Sequence, residues 1–338
     1  MQPSNDPLLQ ALTREGVLIN VSVRFWRGSK KLKAEDLGLN PDDVSDRLIS
    51  LGHKRLLPKD ALSDLALVEG RAHALIETNT FPFLNGLAHF VPNAKLEEVT
   101  GKLDQLGIEF WQAKGKFLQG YSRHQEEAAR EWRQVAERLN VDPDHLVATI
   151  EAAFPNPAKM DKHFGFDVSL FQIAVPERLE TDLVTLADQR QVIEARQQAA
   201  REAGAKIRND AEQFVAECVA TLREQTALLC EEMLGSIGSG KTDGVHQKTL
   251  NRLARFIDQF KQMNFTNDTV MEQQLEQVRQ QFLGRTAEEY RDNKRAQGQL
   301  VGGLEALRDK ARELAQADAT ALVAQFGQLG RRKFHLAA

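Results

Sequence analysis

The chain has little that would staple or anchor it. Two cysteines in 338 residues are too few for a disulfide framework or a four-thiolate metal site. Cys218 and Cys230 form no C-x-x-C pair and read as core thiols. No apolar run approaches the ~18 residues of a membrane span. The polar start Met1-Gln2-Pro3-Ser4-Asn5-Asp6 is not that of a signal peptide, so a cytoplasmic protein without membrane contact is expected. A formal charge of −4 excludes a uniformly basic nucleic-acid coat. The histidines show no H-x-x-x-H or other ligand spacing, so neither a metal nor another cofactor is implied. No nucleophile elbow or spaced acid–base pair stands out, no catalytic residue is assigned, and the chain is read as not an enzyme.

Proline is missing from the whole second half. All ten prolines lie between Pro3 and Pro176. Proline removes a helical N–H and clashes with the preceding turn, so its absence frees residues 177–338 to form long helices. At ~150 residues per domain the length suits two domains. The expected division is an α+β head over residues 1–176 and an elongated, coiled-coil-like helical domain over residues 177–338.

What is present fills in that outline. Val17, Ile19, Val21, Val23 and Phe25 alternate with Leu18, Asn20, Ser22 and Arg24, the period-two signature of a half-buried strand. Short strands are expected at residues 54–57, 88–91 and 166–175, and helices over 58–78 and 94–139. Asp142-Pro143 caps another helix running to about Phe154. Leu179, Leu186, Ile193, Ala200, Ile207 and Phe214 recur every seven residues, like one seam position of a coiled coil, with uneven companions that favour a hairpin within the chain. Leu250, Leu253, Ile257 and Phe260 mark an amphipathic helix, residues 265–268 a turn and cap, and Leu300, Leu304, Leu307, Ala311 and Leu314 a returning helix. The fold class is therefore α+β: a small, mostly antiparallel sheet with covering helices, then a long all-α hairpin or coiled-coil arm.

Two clusters carry possible chemistry. Gly235-Ser236-Ile237-Gly238-Ser239-Gly240-Lys241-Thr242 matches G-x-x-x-x-G-K-[ST], in which Gly235, Gly240, Lys241 and Thr242 would cradle phosphate. That geometry needs a strand before the loop, yet residues 222–234 have helical spacing, so the stretch is expected to be a hinge between helices. Arg24, Arg27, Lys30, Lys31 and Lys33 surround Phe25 and Trp26, a pattern able to bind phosphate and stack bases. The plainer reading is a strand with its aromatics in the core and its charges guarding an edge. Arg331, Arg332 and Lys333 form a second small basic site. Trp111 and Trp132 are expected in the core.

Several stretches resemble a known family: the strand ending in Phe25-Trp26, Gly28-Ser29-Lys30-Lys31-Leu32, Leu51-Gly52-His53-Lys54-Arg55-Leu56-Leu57-Pro58, Phe90-Val91-Pro92, and Lys241-Thr242-Asp243-Gly244-Val245-His246-Gln247-Lys248-Thr249-Leu250-Asn251-Arg252-Leu253. They are similar to an uncharacterised family of phages, plasmids and integrated elements, domain of unknown function three-one-five-zero. The resemblance implies that Gly-Lys-Thr here does not depend on the upstream glycine. It also implies encoding near a MoxR-type AAA+ ATPase and a von Willebrand factor A-like protein, with this chain as the adaptor of such a set. The expected function is a non-enzymatic interaction protein. A nucleic-acid-binding protein using residues 24–33 is the alternative, and an NTPase using residues 235–242 the third reading. A protein partner is expected, with self-association or DNA also open.

Overall fold

The computed structural model describes residues 6–37, 39–40, 51–84, 86–172, 189–238, 244–317 and 319–329. Asp6 opens the first helix, α1 (Pro7–Glu15), its carboxylate accepting from the Leu8 and Leu9 N–H groups, with Pro7 presetting the first turn. Strand β1 (Gly16–Arg24) follows directly. Strands β2 (Ser29–Lys31) and β3 (His53–Arg55) form a separate two-stranded ribbon. After α2 (Ser63–Asn79), β4 (Phe81–Phe83) and β5 (Ala88–Pro92) make a hairpin. Helices α3 (Asn93–Gln119), α4 (Tyr121–Leu139) and α5 (Pro143–Ala153) lead into β6 (Gly165–Phe171). The rest is helical: α6 (Gln189–Gly238), α7 (Gln247–Met263), α8 (Thr269–Phe282), α9 (Ala287–Asp292), α10 (Lys294–Gln316) and α11 (Thr320–Leu329).

The expected helix over 94–139 breaks at Gly120, while Gly107 and Gly115 remain inside α3. Asn140 ends α4 at φ 54°, a left-handed cap that asparagine tolerates. The strand expected over 166–175 is described as far as Phe171; its last residues, like the heptad positions Leu179 and Leu186, lie outside the described residues. Of α6, 50 residues long, the described seam positions Ala200 and Phe214 are buried and Ile207 is half-buried.

The main sheet runs β4-β5-β1-β6. Gly16, Val17, Leu18 and Ile19 face Pro92, Val91, Phe90 and His89 across an antiparallel ladder. Gly16 is required by close approach: a Cβ there would stand 2.3 Å from the Val91 carbonyl oxygen and 2.5 Å from Phe90 Cζ. Leu18 and Ile19 point to opposite faces and both are buried. The first part of β1 is thus covered on both sides rather than half-buried, because apolar surface meets each face.

The boundary expected at residue 176 lies outside the described residues, and compactness divides the chain otherwise. One unit joins Met1–Ile19, Asn79–Glu97 and Leu170–Ala338; the other joins Asn20–Thr78 and Glu98–Ser169. In the first, Leu8, Leu12, Phe83 and Phe90 share one buried cluster with Phe214, Ile257, Leu300 and Phe326. The apolar faces of α1 and the β4–β5 hairpin need a partner surface, and the late helices supply it. α6 is the spine of this unit, with α10 packed along it.

A buried ion pair locks that packing. Arg223 and Asp268 are 6% and 2% exposed. Arg223 Nε donates to Asp268 Oδ2 at 2.6 Å and Nη1 to the Leu314 carbonyl at 2.7 Å. Asp268 Oδ1 accepts from the Met271 N–H at 3.2 Å, capping α8, while the Asp268 N–H donates to Asn264 Oδ1 at 2.8 Å. In the second unit Trp26 lies buried among Phe117, Tyr121 and Phe154, and Phe110 packs on Phe166.

Asp268→Ala leaves Arg223 buried without its counter-charge and removes a cap, so it is expected to cost about 3–5 kcal/mol of stability. Arg24→Ala breaks only the exposed Arg24–Asp167 contact and is expected to cost less than about 1 kcal/mol. Urea midpoints of the two full-length variants test the contrast.

Candidate functional site

The basic residues singled out in the sequence divide into two groups. Arg24 is turned to Asp167, its Nη2 donating to Oδ2 at 3.2 Å. Arg27 makes a two-pronged contact, Nη1 to Glu69 Oε2 at 2.8 Å and Nη2 to Oε1 at 2.5 Å, with its guanidinium 3.9 Å from the Phe25 ring centroid. That hydrogen bonding holds the Glu69 carboxyl below the usual carboxylate range and raises Arg27. Phe25 and Trp26 are buried and present no stacking platform.

The other group lies on the ribbon. Ser29 pairs with Arg55, Lys30 with Lys54 and Lys31 with His53. The ladder is extended by the Leu56 N–H donating to the Gly28 carbonyl at 2.7 Å and the Leu32 N–H to the Gly52 carbonyl at 3.0 Å. Lys54 is drawn inward, its Nζ 2.6 Å from Asp36 Oδ1, and Asp36 Oδ2 accepts the Lys33 N–H at 2.8 Å. This buried pair fixes the ribbon and leaves Lys30, Lys31, Lys33, His53 and Arg55 exposed. Among the described residues no carboxylate forms an ion pair with any of the five. His53 and Arg55 were not legible as partners of Lys30 and Lys31, because the two strands are three residues each and stand far apart in sequence.

Beside the ribbon a cleft of about 240 Å³ opens between residues 55–58 and α4. Trp132 lines it and donates its Nε1–H to the Arg55 carbonyl at 2.9 Å, tying β3 to α4. Trp132 is half-buried and Trp111 is exposed, its Lys114 neighbour 4.7 Å above the ring. Neither is the core residue expected: Trp132 stands at the rim of the cleft facing β3, and Trp111 is open to solvent.

The glycine-rich motif takes a different course from a phosphate loop. Gly235 and Gly238 are the last turn of α6, and Gly240, Lys241 and Thr242 lie outside the described residues. A helix, not a strand, leads into the motif, and the N–H groups of residues 235–238 point back along α6 instead of toward a ligand. Arg331, Arg332 and Lys333 also lie outside the described residues. Among those described, no group of three potential metal ligands is assembled and no helix is long and apolar enough to cross a membrane. Cys218 and Cys230 are buried within α6, and burial pushes the Cys230 thiol up to about 12 and the Cys218 thiol well above its ordinary value.

Compared with known proteins, residues 13–309 match the model of the family described as Protein of unknown function (DUF3150). The chain belongs to this family. The match reaches into both compact units, with the ribbon, the hairpin and the whole of α6; it begins within α1 and ends within α10. No curated protein and no solved structure matches the chain.

Both thiols are expected to resist alkylation by iodoacetamide at pH 8 in the native protein and to react fully in guanidinium chloride. Because folding raises these acids, the unfolded chain loses its thiol protons first. Stability is therefore expected to fall as pH rises from about 9 toward 12, and Cys230→Ala lessens that slope in alkaline urea titrations.

Proposed function

We propose that the protein is a non-enzymatic interaction protein, a cytoplasmic adaptor of a mobile genetic element that works with a MoxR-type AAA+ ATPase and a von Willebrand factor A-like partner. One observation carries the reading: the side chains with the strongest local chemistry are committed to structure. Both thiols lie inside the bundle. Arg223 and Lys54 are each locked to a buried carboxylate, and Arg27 is held by Glu69. The glycine motif begins as the end of a helix. Reactive groups spent in this way among the described residues support a chain that acts through its surface. Co-expression of the tagged full chain with the two partners is expected to yield a complex that survives nuclease treatment. Recovery of neither partner at micromolar concentration rejects the reading.

A second reading, nucleic-acid binding, is favoured by the five exposed basic and histidine side chains of the ribbon region. Register places Lys31, His53 and Arg55 on one face of the ribbon, and cationic side chains of this kind neutralise phosphates. With about four phosphates engaged, log K is expected to fall with log salt at a slope of about −3 to −4. Lys30→Glu combined with Lys31→Glu is expected to weaken binding at least about tenfold and to reduce the slope by about two. Fluorescence anisotropy with labelled single- and double-stranded DNA measures both, and an absence of salt-sensitive binding to either rejects this reading.

A further inference from the structure

The β4–β5 hairpin is held along its strands by aromatic contacts and exposes leucine at its tip. Phe83, the last residue of β4, meets Phe214 of α6 edge-on, 4.8 Å between ring centroids, and Phe90 reaches Phe265 at 4.7 Å. At the tip Leu84 and Leu87 are 42% and 71% exposed. The turn closes on itself through the Gly86 N–H donating to the Phe83 carbonyl and the Leu87 N–H to the Leu84 carbonyl, each at 3.2 Å. Leu84 adopts φ 47°, a left-handed conformation that glycine and asparagine enter readily and leucine does not. Strain and exposed apolar surface therefore fall on one residue.

Beside the tip a cleft of about 720 Å³ separates the hairpin from one face of α6. Ile207 and Phe214 line it between polar side chains: Asp210 and Glu217 stand along it, Glu217 accepting a hydrogen bond from Gln213 at 2.7 Å, with Lys206 at one end. Among the described residues neither Asp210 nor Glu217 enters an ion pair. Lys206 to Glu217 spans eleven residues of helix, about 16 Å, or three turns.

We propose that this tip and the adjoining α6 face dock an amphipathic helix of a partner protein, with its apolar stripe on Leu84, Leu87 and Ile207 and a cationic side chain toward Asp210 and Glu217. The span from Lys206 to Glu217 matches a short helix laid beside α6, with Leu84 and Ile207 as apolar anchor points and the two carboxylates opposite a cationic side chain. The two carboxylates repel a polyanion, which separates this surface from the basic ribbon. The proposal rests on the adaptor reading and names the surface that would serve it.

The test pans the full chain against a displayed library of helical peptides and measures the enriched peptides by fluorescence anisotropy. Apolar residues at i, i+3 or i+4 and i+7 beside Arg or Lys are expected. Leu84→Asn with Leu87→Ser is expected to weaken binding at least about thirtyfold. Asparagine suits the left-handed φ, so melting temperature is expected to hold or rise in that variant. Asp210→Lys with Glu217→Lys is expected to weaken binding about tenfold, whereas Lys30→Glu with Lys31→Glu leaves it unchanged. No enriched peptide, acidic peptides, or binding indifferent to the tip and α6 variants overturns the site. So does sedimentation showing a wild-type dimer that the tip variant dissociates, which assigns the surface to a second copy. A tip variant that loses its peptides yet keeps the nuclease-resistant partner complex removes this site as the partner's and leaves the adaptor reading. Peptide binding retained without any partner complex does the reverse.

Discussion

The Arg223–Asp268 pair is the constraint on which the first unit depends. Two charges removed from water are tolerated only when every remaining donor and acceptor finds a partner, and here that requirement fixes several elements together. Asp268 must stand at the start of α8 to accept the Met271 N–H, and Arg223 must lie opposite the end of α10 to reach the Leu314 carbonyl. A slide of any of these helices by one turn would move a partner by about 5.4 Å and strand a buried charge. The apolar seams of α6, α7, α8 and α10 supply the driving force for packing, but they tolerate neighbouring registers. The ion pair does not, and so it selects one.

A similar device works on a smaller scale in the second unit. Lys54 and Asp36 are buried together, and Asp36 also holds the Lys33 N–H. A two-stranded ribbon has little stability of its own, so this inward lysine and the Trp132 bond to Arg55 are what make β2–β3 a defined surface. The remaining basic side chains stay exposed: alternation puts Lys31, His53 and Arg55 on the face opposite Lys54, while Lys30 shares the face of Lys54, where Asp36 is already taken. The hairpin β4–β5 follows the opposite design: aromatic rings secure its strands and apolar side chains occupy its exposed tip. The two surfaces differ in sign and polarity.

Much of the helical half was legible because amphipathic periodicity is a local property. Leu250, Leu253, Ile257 and Phe260 are all buried in α7, and Asp268 caps α8 where the turn signal lay. Asp142-Pro143 likewise opens α5. The ribbon partners were not legible, since three-residue strands separated by a long connection carry no period. The role of Arg223 was hidden for a related reason: on a helix rich in charged residues nothing local marks the one arginine that meets a carboxylate 45 residues away. Trp111 and Trp132 show the limit of composition, as a tryptophan on an otherwise amphipathic helix can as well sit at the boundary as inside.

The amino-acid sequence by itself determined the element types, the proline-free helical half and the α+β class, because propensity, capping and periodicity act between residues a few positions apart. It also marked the family, through short stretches spread over most of the chain. Tertiary structure alone decided that α1 and the β4–β5 hairpin share a core with the last helices, and that Arg24 and Arg27 are tied into ion pairs while Lys30 and Lys31 are not. Each of these depends on which apolar face or counter-charge lies nearest in space, a matter settled only when distant segments compete for the same buried surface.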